Sequence, residues 1–348
     1  DHAEAWAAQA QLNTDAGNFD EALDAARRSL AANPELARGH WALGRAPLPQ
    51  LLDDRGRGNL LDPEPFPALQ ETPPRCPAPI GNGQWRVSQS LPAMGTVVTL
   101  SVLDGSEDRA AETLAAAFAE MNRCILLLNR FDDRSALGML NAESHLADSP
   151  DELLAVMHRA RGVHLLSGGA FDITVTPVID AFRSHREAGL PGIPGREVLR
   201  AANERVNAAG VVIEGRQVRL HDGVEVTLDG IAKGYIVDRM AAVLTVSGVA
   251  GYLVNGGGDI RVGGTRDGTR PWRVGVRDPD NPGEELMILS LDDGAVATSG
   301  SYEIYFNNER TRHHIVSSNG TSPGECRSVT VRAPSTMLAD ALATAAFV

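Results

Sequence analysis

Near the C-terminus two oxygen-bearing side chains, Asp340 and Thr344, stand four residues apart in an otherwise apolar run. In a helix that spacing puts them on one face, one turn apart. A carboxylate and a hydroxyl there form a small all-oxygen cluster. A hard cation such as Mg²⁺ takes such oxygens and completes its shell with water or substrate phosphates. The same pair also fits an exposed Asp beside a Thr bonded back to a helix carbonyl. Four other stretches carry residue types suited to chemistry. In Gly169-Ala170-Phe171-Asp172-Ile173-Thr174-Val175-Thr176-Pro177 a carboxylate sits inside an apolar, β-branched run ahead of a proline, as a turn-capping Asp does. In Leu228-Asp229-Gly230-Ile231-Ala232-Lys233-Gly234-Tyr235 a strand ends, two glycines frame a lysine and a helix follows. Backbone amides at a helix start and one ammonium suit phosphate groups, although the residue order of a Walker loop is absent. Asn255-Gly256-Gly257-Gly258-Asp259 allows positive φ and close approach of backbone to a ligand, or a plain hairpin turn. Finally, His313 and His314 precede Ile315-Val316, and adjacent imidazoles suit proton transfer near neutral pH.

The elements that must position these residues are legible as periodicity. Pro334 and Ser335 mark the start of a helix rich in Ala and Leu. Residues 107–128 predict a long amphipathic helix, with Leu114, Phe118, Met121 and Ile125 at helical spacing, and residues 151–167 and 232–246 predict two more. Strands are expected at 97–103, 211–214, 217–220, 224–228, 251–254, 259–263, 272–277, 286–291, 296–298 and 327–332. Many strands and few helices, without βαβ alternation, indicate an α+β domain over residues 85–348.

Two segments precede it. Residues 1–46 read as a helical hairpin turning at Gly17-Asn18 and ending at Asn33-Pro34. Trp6, Gly17, Phe19, Ala22 and Pro34 make it similar to an incomplete tetratricopeptide repeat, which must dock elsewhere to bury its apolar face. Residues 47–84 read as a Pro-rich linker, with stretches such as Asp62-Pro63-Glu64-Pro65-Phe66-Pro67 favouring extended polyproline backbone. The 348 residues carry a net charge of −13, which argues against nonspecific nucleic-acid binding. An anionic small molecule stays possible, because one bound cation inverts the local field. No apolar run approaches the roughly 20 residues of a membrane helix. The three cysteines form neither a disulfide framework nor a metal-ligand pattern. Starting at Asp1 and stopping at Val348 within an apolar run, the chain reads as a trimmed piece whose ends would carry any targeting signal.

Taken in order, the matching stretches over about residues 90–348 resemble the ApbE family, flavin transferases that move FMN from FAD onto a protein threonine. They are Met94-Gly95-Thr96, Asn129 to Ser135 with Leu140-Asn141, Gly169 to Pro177, and Asp229 to Tyr235 with Asp238. Asn255 to Ile260, Ala297 to Gly300, His314-Ile315-Val316 and Val329 to Thr344 complete the set. The resemblance implies an ApbE-like fold of mixed sheets with flanking helices. It also implies Mg²⁺ held by Asp340, Thr344 and the carbonyl of Gly230, and an FAD site lined by Met94, Phe131, Ala170, Phe171, Asp172, Thr227, Lys233 and Val316. His314, with His313 second, would take the proton from the acceptor threonine. The implied partners are FAD and an acceptor protein, with a further protein partner for the N-terminal repeat, and the implied location is the cell envelope. The chain departs from the family pattern at Thr227 (usually Asp), Ala136 (usually Glu), Ser317-Ser318 (usually Asp-Pro) and Ile179-Asp180-Ala181-Phe182, where Trp-Gly is expected. Two alternatives stay open: an FAD pyrophosphatase with water as acceptor, and a non-catalytic flavin binder or scaffold.

Overall fold

The computed structural model describes residues 75–190, 192–281, 283–300 and 326–348. The expected helical hairpin, most of the expected linker, and His313, His314 and Val316 lie outside the described residues.

The described strands are β1 (Cys76–Gly81), β2 (Gln84–Ala93), β3 (Thr96–Asp104), β4 (His145–Leu146), β5 (Val211–Glu214), β6 (Gln217–Leu220), β7 (Gly251–Gly256), β8 (Ile260–Gly264), β9 (Trp272–Arg277), β10 (Glu285–Leu291), β11 (Asp293–Gly300) and β12 (Ser328–Ala333). The helices are α1 (Glu107–Leu128), α2 (Ala136–Glu143), α3 (Asp151–Leu166), α4 (Thr176–Glu187), α5 (Arg196–Asn203), α6 (Ala232–Val246) and α7 (Thr336–Phe347). Seven strands form one sheet in the order β1-β2-β3-β7-β8-β11-β12, with every neighbouring pair antiparallel. The α+β expectation holds. The central crossover from β3 to β7 carries five of the helices and the small sheet β4-β6-β5 before the chain returns through α6.

Alternation along β3 and β7 sends Val98, Leu100, Val102 and Val254 into the main core against α1 and α6. Helix α1 supplies Leu114, Phe118 and Met121 from one face, and its start is capped by Ser106, whose hydroxyl accepts from the Arg109 amide. The opposite face of the sheet is covered where Leu103, Ile260 and Val262 meet Trp272, Val274 and Val276 of the β9-β10 pair. Helix α7 packs on both α6 and the β11-β12 pair, burying Ala339, Ala343 and Phe347 against Ala297 and Val331. It is this docking that carries Asp340 and Thr344 to the loop before α6.

Two sequence expectations need correction. Residues 224–228 form no strand: the amide and carbonyl of Val226 are taken by the Asn141 side chain at 2.8 and 2.9 Å, and the Thr227 amide by the Ile173 carbonyl at 2.8 Å. The backbone groups that a neighbouring strand would use are already satisfied. The sheet also begins inside the stretch read as linker. Pro77 and Pro79 stand opposite Val87 and Trp85 in β1, an edge strand, where a residue without an amide hydrogen is tolerated. Helices α2, α4 and α5 were not anticipated; α4 opens with Pro177 in its first turn, a position suited to proline.

Candidate functional site

The site is built where α6 and α7 cross. Asp238, on α6, accepts hydrogen bonds from the amides of Thr336 and Met337, both at 2.8 Å, so one helix caps the start of the other. Ser335 adds its own cap, its hydroxyl accepting from the Leu338 amide. One turn before Asp238, Gly234 lets the two backbones meet. A Cβ at that position would lie 2.4 Å from the Thr336 carbonyl oxygen and 2.8 Å from the Met337 Cα. The Gly234 amide then donates to Oδ2 of Asp340 at 3.1 Å, one turn into α7.

Asp340 is buried. Burial pushes its pKa well above the usual carboxylate range and the nearby charge of Asp259 pushes the same way, while Lys233 and the Gly234 amide oppose. Lys233 itself stands 3.0 Å from Oδ2 of the buried Asp259. The glycine turn at 255–259 delivers that carboxylate. Asn255 accepts from the Gly258 amide at 2.8 Å, and Gly257 and Gly258 take positive φ at 75° and 108°.

On the next turn of α7, Thr344 faces Gly230 and Ser299. Its hydroxyl is 3.3 Å from the Ser299 hydroxyl. A Cβ on Gly230 would lie 3.3 Å from that same Thr344 oxygen and 3.2 Å from Cε2 of Phe171. Gly230 therefore leaves open the space beside Thr344 that any side chain would fill.

Phe171 comes from the loop between α3 and α4. His164 holds it through a 2.8 Å contact from Nδ1 to the Phe171 carbonyl, and the Ser167 hydroxyl accepts from the Phe171 amide at 3.0 Å. Asp172 turns the loop, Oδ1 accepting from the Thr174 amide at 2.8 Å and the Thr174 hydroxyl at 2.6 Å. Ala170 is half-buried in the same loop. Thr227 lies alongside, bonded to Ile173 as above and capping the Asp229 amide with its hydroxyl at 3.2 Å. Met94, buried in the β2-β3 turn at φ 52°, approaches Gly256 of β7. Phe131 lies under two guanidiniums, those of Arg130 and Arg183, at 4.4 and 4.6 Å from its ring centre.

Of the residues expected from sequence, Asp340, Thr344, Gly230, Phe171 and Lys233 thus gather around the α6-α7 crossing. Ala170, Asp172 and Thr227 join them through the Ile173 bond. Phe131 is linked through Arg130, whose Nε is 3.6 Å from Asp229. Asp259, Asp238 and Ser299 fell within the matching stretches without a role; a carboxylate after a glycine turn, or one α6 turn beyond Gly234, was the available signal. Arg130 also fell within a matching stretch, Asn129 to Ser135, without a role, whereas Arg183 gave no signal, because the two side chains meet only through the fold.

The donors present suit a hard cation. They are one buried carboxylate and one hydroxyl on successive turns of α7, beside an open glycine. Among the described residues no three His, Cys, Asp or Glu side chains converge as a metal cluster.

The fold and this crossing define a mixed α+β protein whose last helix presents a carboxylate and a hydroxyl to a glycine-lysine loop. Residues 94–348 match the model of the ApbE family, and the chain belongs to that family. It is 31 % identical over 274 residues to the FAD:protein FMN transferase of Vibrio cholerae serotype O1, covering 74 % of this chain and 80 % of that protein. It is 32 % identical over 282 residues to the FAD:protein FMN transferase of Treponema pallidum, covering 73 % and 76 % of the two. The crystal structure of the ApbE protein from Thermotoga maritima superposes with a TM-score of 0.68 at 30 % identity, covering 75 % of this chain and 85 % of that one.

Proposed function

We propose that this chain is a Mg²⁺-dependent FAD:protein FMN transferase that attaches FMN to a threonine of an acceptor protein through a phosphoester and releases AMP. The observation that supports it most directly is Gly230 lying open against Thr344, one α7 turn from the buried Asp340, in a member of this family. Asp340, Thr344 and the Gly230 carbonyl would hold the cation. The chemistry such a cation supplies is neutralisation of the diphosphate charge and polarisation of the phosphorus.

The rest falls to the chain's own residues. Lys233, balanced by Asp259, brings an ammonium to the diphosphate side of the loop. Phe171, held by His164 and Ser167, stands next to Gly230, where its ring would shield the reacting phosphorus from water. A threonine hydroxyl is a weak nucleophile at neutral pH. His314, with His313 second, would accept its proton as the new oxygen–phosphorus bond forms on the FMN side. The bond to AMP breaks in the same displacement, and AMP leaves with the electron pair. A cell-envelope location belongs to the same reading and is tested by fractionating cells.

The direct test incubates the chain with FAD, Mg²⁺ and a threonine-bearing acceptor protein, then looks for flavin fluorescence in a denaturing gel. Fluorescence that a chelator abolishes supports the proposal. AMP release without labelled acceptor would point to water as the acceptor, and neither product would remove the catalytic reading.

A further inference from the structure

Beside the cation site stands a second polar cluster that the proposed reaction leaves unused. Arg130 is only 6 % exposed and engages Asp180 with both terminal nitrogens, at 2.9 and 3.3 Å. Arg183, one turn further along α4 from Asp180, reaches the same carboxylate with Nη1 alone, at 3.4 Å. Its Nε and Nη2 are buried and find no hydrogen-bond acceptor among the described residues. Burial and the charge of Arg130 push its pKa down, while Asp180, Asp229 and Glu187 oppose. Both guanidiniums lie over Phe131, and Asp229, 3.6 Å from Arg130 Nε, leads directly into Gly230.

Buried N–H groups without an acceptor are costly, and the free Nε and Nη2 of Arg183 form a planar fork that matches an oxyanion. A lone water would need several polar partners to sit there. Asp180 keeps Arg130 and Arg183 from repelling each other apart and orients both planes over the ring. We propose that Arg183 is a positioning residue that donates Nε and Nη2 to a diphosphate oxygen of the bound nucleotide. This rests on the flavin-nucleotide reading for its ligand, though not for its chemistry. Asp180, in the stretch 179–182 that stands where Trp-Gly is expected, supplies the carboxylate shared by both guanidiniums, and Arg183 follows that stretch directly on α4.

The test compares wild type with Arg183→Gln and Arg183→Lys, using FAD, ADP and riboflavin as ligands at one fixed, saturating Mg²⁺ concentration. Riboflavin carries the ring system and no phosphate. The expected result is at least ten-fold weaker binding of FAD and ADP by Arg183→Gln, a smaller loss for Arg183→Lys, and riboflavin binding unchanged. Asp180 stays paired with Arg130 in both variants, so folding should hold, and thermal melting checks it. Should the glutamine variant unfold, the lysine variant decides through a smaller melting shift with inorganic diphosphate than wild type shows. Equal FAD and ADP affinity in a folded variant overturns the inference, as does a parallel loss of riboflavin. If the wild type transfers FMN and the variants bind FAD as well as it does, only the inference fails. If the wild type transfers nothing yet binds ADP through Arg183, the inference stands and the transferase reading fails.

Discussion

Replacing Gly234 with alanine should damage stability and the site together. The added Cβ would lie 2.4 Å from the Thr336 carbonyl oxygen, 2.7 Å from its carbon and 2.8 Å from the Met337 Cα. All three atoms are backbone, so no side chain can swing aside, and α7 must move by about 1 Å to reach ordinary contact. Overpacking of this kind costs about 1–3 kcal/mol. The same displacement stretches the 3.1 Å bond from the Gly234 amide to Asp340. Losing a hydrogen bond to a buried carboxylate adds about 1.5–3 kcal/mol, for a total of about 2.5–6 kcal/mol. Urea unfolding read by circular dichroism gives the number. Gly162, inside α3, is the control, since a Cβ there meets nothing within 4 Å. Gly162→Ala should leave stability unchanged or raise it by about 0.5–1 kcal/mol. A Gly234→Ala protein within about 0.5 kcal/mol of wild type, the range of a substitution that disturbs nothing, would refute the close approach of the two helices.

Asp238→Ala removes both acceptors at the start of α7 and should cost about 2–4 kcal/mol in urea unfolding; it should also weaken Mg²⁺-dependent turnover, because α7 carries the proposed ligands Asp340 and Thr344. Glu120, hydrogen-bonded to Arg123 and Arg239, has its pKa lowered from the ordinary 4.5 to about 2, with the Arg123 bond as the largest cause. Its ionised form therefore favours folding above pH 4.5, and that contribution is lost as pH falls toward 2. After solvent screening it amounts to about 1 kcal/mol, so Glu120→Gln should flatten the acid limb of the stability curve by that much. Removing divalent cations with EDTA should strip bound FAD, seen as loss of yellow absorbance after gel filtration.

Much of this architecture was legible in the sequence because its signals are local. The apolar spacing of Leu114, Phe118 and Met121 announced α1, and strict alternation in Trp272–Arg277 announced β9 with its observed bounds. Asp340 and Thr344 declared a shared face through their spacing alone. What escaped was decided by partners distant in the chain. Residues 224–228 have a strand's composition, yet Asn141, far back in α2, takes the backbone bonds of Val226. Pro77 and Pro79 spoke against a strand, and only their place at the sheet edge permits one. Lys233 read as a phosphate ligand from its glycine frame, while its balancing acid, Asp259, arrives from another turn altogether. Arg130 and Arg183 lie in stretches with no shared motif and converge only because α4 folds back over Phe131.

The most direct measurement is the Mg²⁺ dependence of FMN transfer by wild type and by folded Asp340→Asn, read by mass spectrometry of the acceptor protein. Wild type should add FMN to a threonine at saturating Mg²⁺, and the variant should transfer little at any concentration, with a melting curve showing it folded. Undiminished transfer by the variant, or transfer by wild type that a chelator does not touch, would contradict a cation held by the last helix.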